Sequence, residues 1–76
     1  MPDQEKNKID LTQEFRDAYY KLPMNVHLDV KRDIIKETYW SESLFYSRVQ
    51  VRRFIKEIEV PIIKRVFEKY GYEIFK

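Results

Sequence analysis

Residues 31–53 read KRDIIKETYWSESLFYSRVQVRR, and the reading of this stretch decides the fold. Ile34, Ile35 and Thr38 recur at helical spacing and predict one short helix. A tight turn follows at Tyr39 and Trp40. Ser41 then offers a hydroxyl that caps free backbone N–H groups, and Glu42 complements the helix dipole in the first turn. A second helix is expected from about Glu42 to Gln50. Leu44, Phe45 and Val49 should face the core. Arg48 falls near the same face, its stem packed along the core edge and its head in solvent.

Upstream, Asp10 is expected to cap a first helix, with Gln13 three residues on as in a capping box. Leu11, Phe15, Ala18, Tyr19 and Leu22 then form one apolar face. Pro23 ends that helix, because the residue before a proline is pushed out of the α region. The next helix is expected to start between Asn25 and Asp29 and to bury Leu28, Ile34, Ile35 and Thr38. Downstream, a fourth helix over roughly residues 56–70 carries Ile58, Ile62, Ile63, Val66, Phe67 and Tyr70 in period. Pro61 is tolerable there only in the first turn, which moves the start toward Glu59. Gly71, the one glycine of the chain, stands where a left-handed residue would close the helix. After it, Ile74 and Phe75 either pack back on the core, form a short strand or meet a second subunit. Residues 1–9 are polar and read as a flexible tail. The expectation is all-α: a tail, then one domain over residues 10–76, a compact bundle of about four short helices.

Seventy-six residues make one small domain. A chain of this size buries only about 60% of the surface its unfolded form exposes. With no Cys, no disulfide compensates. Support must come from dense packing, good helix caps or a partner chain, such as a homodimer. Six Tyr, five Phe and one Trp supply the packing. The missing Cys, the absence of an apolar leader pattern and the shortness of the longest apolar run, residues 60–63, suit a cytoplasmic protein that does not span a membrane. Enzymatic chemistry finds no support. His27 is the single histidine and has no ligand partners at metal spacing, so neither metal nor cofactor is expected. Glu57 and Glu59 are two apart and diverge on a helix. No pocket for a small-molecule substrate is expected in so short a chain.

Charge is distributed unevenly. Residues 31–56 hold seven Lys/Arg and three Asp/Glu, a net +4, whereas residues 1–30 hold four against six and residues 57–76 four against four. A basic patch on one element is the footprint of a phosphate-binding surface. Its bland counterpart is a solvated face.

The pattern Ile34-Ile35…Tyr39-Trp40-Ser41-x-Ser43-x-Phe45-Tyr46 resembles small prokaryotic helix-turn-helix proteins of the phage-repressor type, over about residues 28–70, with the motif at 31–50. By position Ile35 takes the place where the two helices cross, Trp40 the apolar place after the turn and Phe45 the core place of the second helix. Two positions depart from the pattern. Tyr39 stands where such motifs often carry glycine, and Ile35 where they carry a small residue. The resemblance implies a DNA-binding transcriptional regulator whose second helix enters the major groove. Ser41, Glu42, Ser43, Tyr46, Ser47 and Gln50 would face bases of double-stranded DNA. Lys31, Arg32, Arg52, Arg53 and Lys56 would hold phosphates. The alternative is a non-enzymatic protein–protein interaction module, built on the fourth helix and an exposed aromatic C-terminal tail.

Overall fold

In the computed structural model, which describes residues 8–75, Pro23 both ends one helix and opens the next. The helices are α1, Lys8–Tyr20; α2, Met24–Thr38; α3, Glu42–Val49; and α4, Val60–Lys69, the last preceded by a single 3₁₀ turn, Glu57–Glu59. Among the described residues there is no strand, and the all-α expectation holds. α1 begins at Lys8 rather than after Asp10, so Lys8 and Ile9 of the expected tail are helical. Asp10 sits in the first turn and complements the dipole instead of capping. The rest of that tail lies outside the described residues.

α2 starts earlier than its side chains suggest: its N-cap is Pro23, which makes no side-chain cap bond, so no polar side chain marks the start. Pro23 O accepts from Val26 N at 2.9 Å and His27 N at 3.1 Å. Val30, one turn ahead of Ile34 on the same face, is buried with it. Leu28, expected in the core, is 62% exposed. It stands six residues before Ile34, about 120° around the helix. The same geometry corrects two more expectations. Leu44 lies on the flank of α3, about 100° from Phe45, and is exposed. Ile58 is exposed because the 3₁₀ turn, at about three residues per turn, breaks the α4 period.

Phe15 is the hub of the core. Its ring lies 5.9 Å from Phe45 and 6.4 Å from each of Tyr19, Trp40 and Phe67, mostly edge to face. These rings bring α1, the α2–α3 turn, α3 and α4 together. They supply the dense packing that a disulfide-free chain needs. The C-terminal segment packs back on this core. Ile74 and Phe75 are buried, and Phe75 N donates to a Glu14 carboxylate oxygen at 2.8 Å. The tail is thus an internal surface of the domain and not the exposed aromatic surface of the interaction-module reading.

Helices α3 and α4 close in the same way. Arg52 N reaches back to Ser47 O at 2.8 Å and Val51 N to Arg48 O at 3.0 Å. Tyr72 N likewise reaches Phe67 O at 3.0 Å and Gly71 N reaches Glu68 O at 3.0 Å. Both are Schellman closures, with Gly71 at φ 87° and Val51 at φ 60°. A β-branched residue at positive φ is strained, by roughly 1–2 kcal/mol. Tyr39, which ends α2, also takes the left-handed conformation, at φ 64°, with Tyr39 N donating to Ile35 O. The position that often holds glycine in similar motifs therefore has the backbone that glycine favours.

Asp33 ties α2 to α4. It accepts from Tyr70 Oη at 2.6 Å and Lys69 Nζ at 3.0 Å. The Tyr70 hydroxyl chiefly, and then Lys69, hold its carboxyl below the ordinary range.

Three outcomes follow for stability. Val51→Gly should stabilise the domain by roughly 0.5–1 kcal/mol, since the relieved strain exceeds the added chain entropy. Gly71→Ala should cost about 1 kcal/mol through its backbone alone, because nothing lies within 4 Å of the added Cβ. Urea unfolding measures both. The third outcome concerns acid. A depressed folded pKa stabilises above the unfolded value, about pH 4, and that stabilisation is lost as pH falls through the lower folded value. Asp33→Asn should lose less stability than the parent chain below about pH 4, as read by urea midpoints across a pH series.

Candidate nucleic-acid interface

The inner face of α3 is set by one carboxylate. Glu59, on the 3₁₀ turn, accepts from Trp40 Nε1 through Oε2 at 2.9 Å and from Lys56 N through Oε1 at 2.8 Å. Arg48 lies beside it, its guanidinium 4.7 Å from the Trp40 ring and its Nε 4.0 Å from Glu59 Oε1. Arg48 Nη1 also donates to Leu44 O at 3.4 Å, whereas its buried Nε makes no hydrogen bond. Arg48 is 7% exposed, so its head is covered and not in solvent as the sequence suggests. With Phe45, Arg48 and Val49 turned inward, Glu42, Ser43, Tyr46 and Gln50 stand on the exposed side, with Ser47 half-buried between them.

The six residues expected to face bases divide into two groups. Ser43 and Gln50 are exposed, Gln50 as the C-cap of α3. The other four have side chains engaged within the domain. Ser41 Oγ accepts from Leu44 N at 3.1 Å, which is the expected cap. Ser47 Oγ donates to Ser43 O at 3.0 Å. Glu42 and Tyr46 converge on Lys31 of α2. Lys31 Nζ lies 3.1 Å from Glu42 Oε2, donates to Tyr46 Oη at 3.1 Å and sits 5.0 Å from the centre of the Tyr46 ring. The hydrogen bond to Tyr46, and then that to Glu42, raise the Lys31 pKa and keep it charged. Lys31 is thus a clasp between α2 and α3, with most of its side chain covered.

The other expected phosphate ligands are all exposed. Arg32 lies 3.8 Å from Asp29 on the same helix. Arg52, Arg53 and Lys56 occupy the loop after α3, and no ion pair holds them among the described residues. That loop is tied at both ends. Arg52 N and Arg53 N donate to Ser47 O. Ile55 is fully buried, and its N–H donates to Thr12 Oγ1 at 2.9 Å, while Thr12 Oγ1 donates to Lys8 O at 2.7 Å. The basic residues are therefore carried by a loop of fixed path. Of the seven cations in residues 31–56, burial of Arg48 and the clasp at Lys31 leave Arg32, Lys36, Arg52, Arg53 and Lys56 outward.

The sequence reading passes over Thr12 and takes Glu59 only as a helix start and half of a divergent carboxylate pair. Thr12 had a signal, a hydroxyl three residues before Phe15 on the same helix face. Glu59 had one too, three residues after Lys56 at the opening of a helix. His27 stacks on Tyr19 at 4.1 Å and lies 2.7 Å from Tyr19 O, a joint between α1 and α2. No group of His, Cys, Asp and Glu suited to a metal ion occurs among the described residues, and none of their helices is long and apolar enough to cross a membrane. A groove of about 520 Å³ runs between α1 and the C-terminal segment, but Asp10, Glu14, Asp17 and Glu73 rim it and would repel phosphate.

No family model, curated protein or solved structure matches this chain.

Glu59→Ala should destabilise the domain by about 3 kcal/mol, because it leaves the buried Arg48 charge and the Trp40 N–H without a carboxylate. Urea unfolding followed by the emission of the single Trp measures this, and a cost under about 1 kcal/mol would remove Glu59 from its central place.

Proposed function

We propose that this chain is a double-stranded DNA-binding module of a transcriptional regulator, which lays α3 in the major groove. One observation carries the reading. The outward face of α3, with Ser43, Tyr46, Ser47 and Gln50, continues directly into a loop of fixed path whose Arg52, Arg53 and Lys56 are exposed and held by no ion pair among the described residues. A helix that reads bases needs cations at its end to grip the backbone and fix its register. The connection from α2 to α3 is three residues, Tyr39 to Ser41, a length that helix-turn-helix units use.

The charge balance supports the same surface. A carboxylate at the start of α3 would repel phosphate, but Lys31 neutralises Glu42 at 3.1 Å. Gln50 then pairs with adenine in two-bond fashion, while Ser43 and Ser47 are permissive and the Tyr46 ring edge meets a thymine methyl. Ser41 contributes by holding the helix N-terminus, which itself favours phosphate. Arg32 adds less, since Asp29 already draws it. The partner is duplex DNA, the compartment the cytoplasm, and neither cofactor nor small-molecule substrate enters the reading.

Fluorescence anisotropy with mixed-sequence duplex DNA across a salt series tests this. Three phosphate contacts predict a slope of log K against log salt of roughly −3. Arg53→Ala should weaken binding to all sequences alike and reduce that slope by about one. Gln50→Ala should instead relax preference at one base pair, by roughly 1–3 kcal/mol. No binding at low salt would end the DNA reading. Unchanged binding in both variants would end the placement of α3.

A further inference from the structure

The groove of about 520 Å³ between α1 and the C-terminal segment has an apolar floor, where Leu22, Phe67 and Ile74 are buried and Ala18 is half-buried. Its rim is acidic. Asp10, Glu14, Asp17 and Glu73 stand against Lys21, four carboxylates to one ammonium, a formal charge of −3 in a chain whose net charge is +2. Tyr72, half-buried, supplies an aromatic wall. Tyr46 and Tyr70 spend their hydroxyls on Lys31 and Asp33. The Tyr72 hydroxyl meets no hydrogen-bond partner among the described residues.

We propose that this groove binds a linear oligoamine, with its ammonium groups on the rim and its methylene stem on the floor. The register of the rim is the first reason. Asp10, Glu14 and Asp17 stand at i, i+4 and i+7 on one face of α1. Helix neighbours three and four apart have Cβ atoms about 5–6 Å from each other, the distance that a propylene or butylene link puts between two amine nitrogens. Lys21, one turn beyond Asp17, closes the row with a like charge, so α1 sets places for three cations. The floor is the second reason. Methylene groups shed water against apolar surface, as Lys stems do. A bare metal ion gains nothing there. Tyr72 is the third reason, since its ring attracts an ammonium group and its hydroxyl accepts from one. Size agrees. The volume lies within the range of about 300–1,000 Å³ that small ligands take, and two turns of a helix about 10–12 Å across would overfill it. Glu14 keeps its charge while accepting from Phe75 N, a neutral donor. Asp17 meets only its exposed neighbour Arg16, a weak pair that an amine can displace.

The proposal does not rest on the DNA reading, and its test uses no DNA. Calorimetric titration of the full chain with the triamine spermidine, in saline that screens loose counterion binding, should show one site per chain. Spermidine should bind at least about tenfold more tightly than the diamine putrescine, because its third ammonium group binds intramolecularly. Magnesium chloride at equal charge concentration should not displace it. Asp17→Asn and Glu73→Gln change exposed residues and should each weaken spermidine several-fold, with circular dichroism to check the fold. Glu37→Gln, on α2 and outside the groove, should leave binding unchanged. Absence of spermidine binding, equal displacement by magnesium, or indifference to both groove variants would each overturn the proposal. Tighter binding of a tetralysine peptide would overturn it too, and would assign the groove to a polypeptide.

Discussion

The structure depends on one largely covered carboxylate. Glu59 holds the Trp40 indole, the Lys56 backbone and the flank of Arg48 at one point. The indole is bound at one end by that carboxylate and covered at its face by the guanidinium, so its position leaves little freedom. Trp40 in turn fixes where α3 leaves the turn, and Phe45 then meets Phe15 edge to face at 5.9 Å. The orientation of α3, and with it the set of residues that face outward, follows from an acceptor nineteen residues further along the chain. A carboxylate so covered is costly unless every oxygen is used. Here both oxygens accept, which is why the arrangement is tolerable.

Local chemistry accounts for what was legible in the sequence. Four helices, the break at Pro23, the cap at Ser41, the place of Pro61 in the first turn of α4 and the closure at Gly71 all rest on neighbours within one turn. What was not legible depends on partners far away or on the backbone itself. Pro23 opens α2 with no side-chain cap to announce the start. Val51 closes α3 in a conformation that composition would assign to glycine or asparagine. Thr12 reads as a polar interruption of an apolar face until Ile55, forty-three residues on, supplies the donor it accepts from. Leu28, Leu44 and Ile58 were placed by period alone; Leu28 and Leu44 stand to the side of the buried faces of their helices, and the 3₁₀ turn carries Ile58 to solvent.

The candidate site divides along the same line. Residue types and spacing identified the basic segment and the exposed face of α3. They did not separate cations that are free from cations already used. Lys31 and Arg48 count toward the net charge of the segment, yet one clasps Glu42 and Tyr46 and the other covers Trp40. Both still serve the surface. Lys31 offsets the one carboxylate at the start of α3, and Arg48 helps fix the helix that carries Ser43 and Gln50. Charge spent inside the domain thus prepares the charge outside it.

The bond from Phe75 N to Glu14, sixty-one residues apart, has a consequence for synthesis on the ribosome. α1 emerges first, but Phe67, Ile74 and Phe75 close the core around it only at the other end of the domain. At about 5–20 residues per second the gap lasts roughly 3–12 s. Through that interval the Phe15 and Tyr19 face of α1 has no final partner. The core around Phe15 is therefore completed only after residue 75 is free of the exit tunnel, and nascent-chain binders meet the Phe15 and Tyr19 face of α1 first.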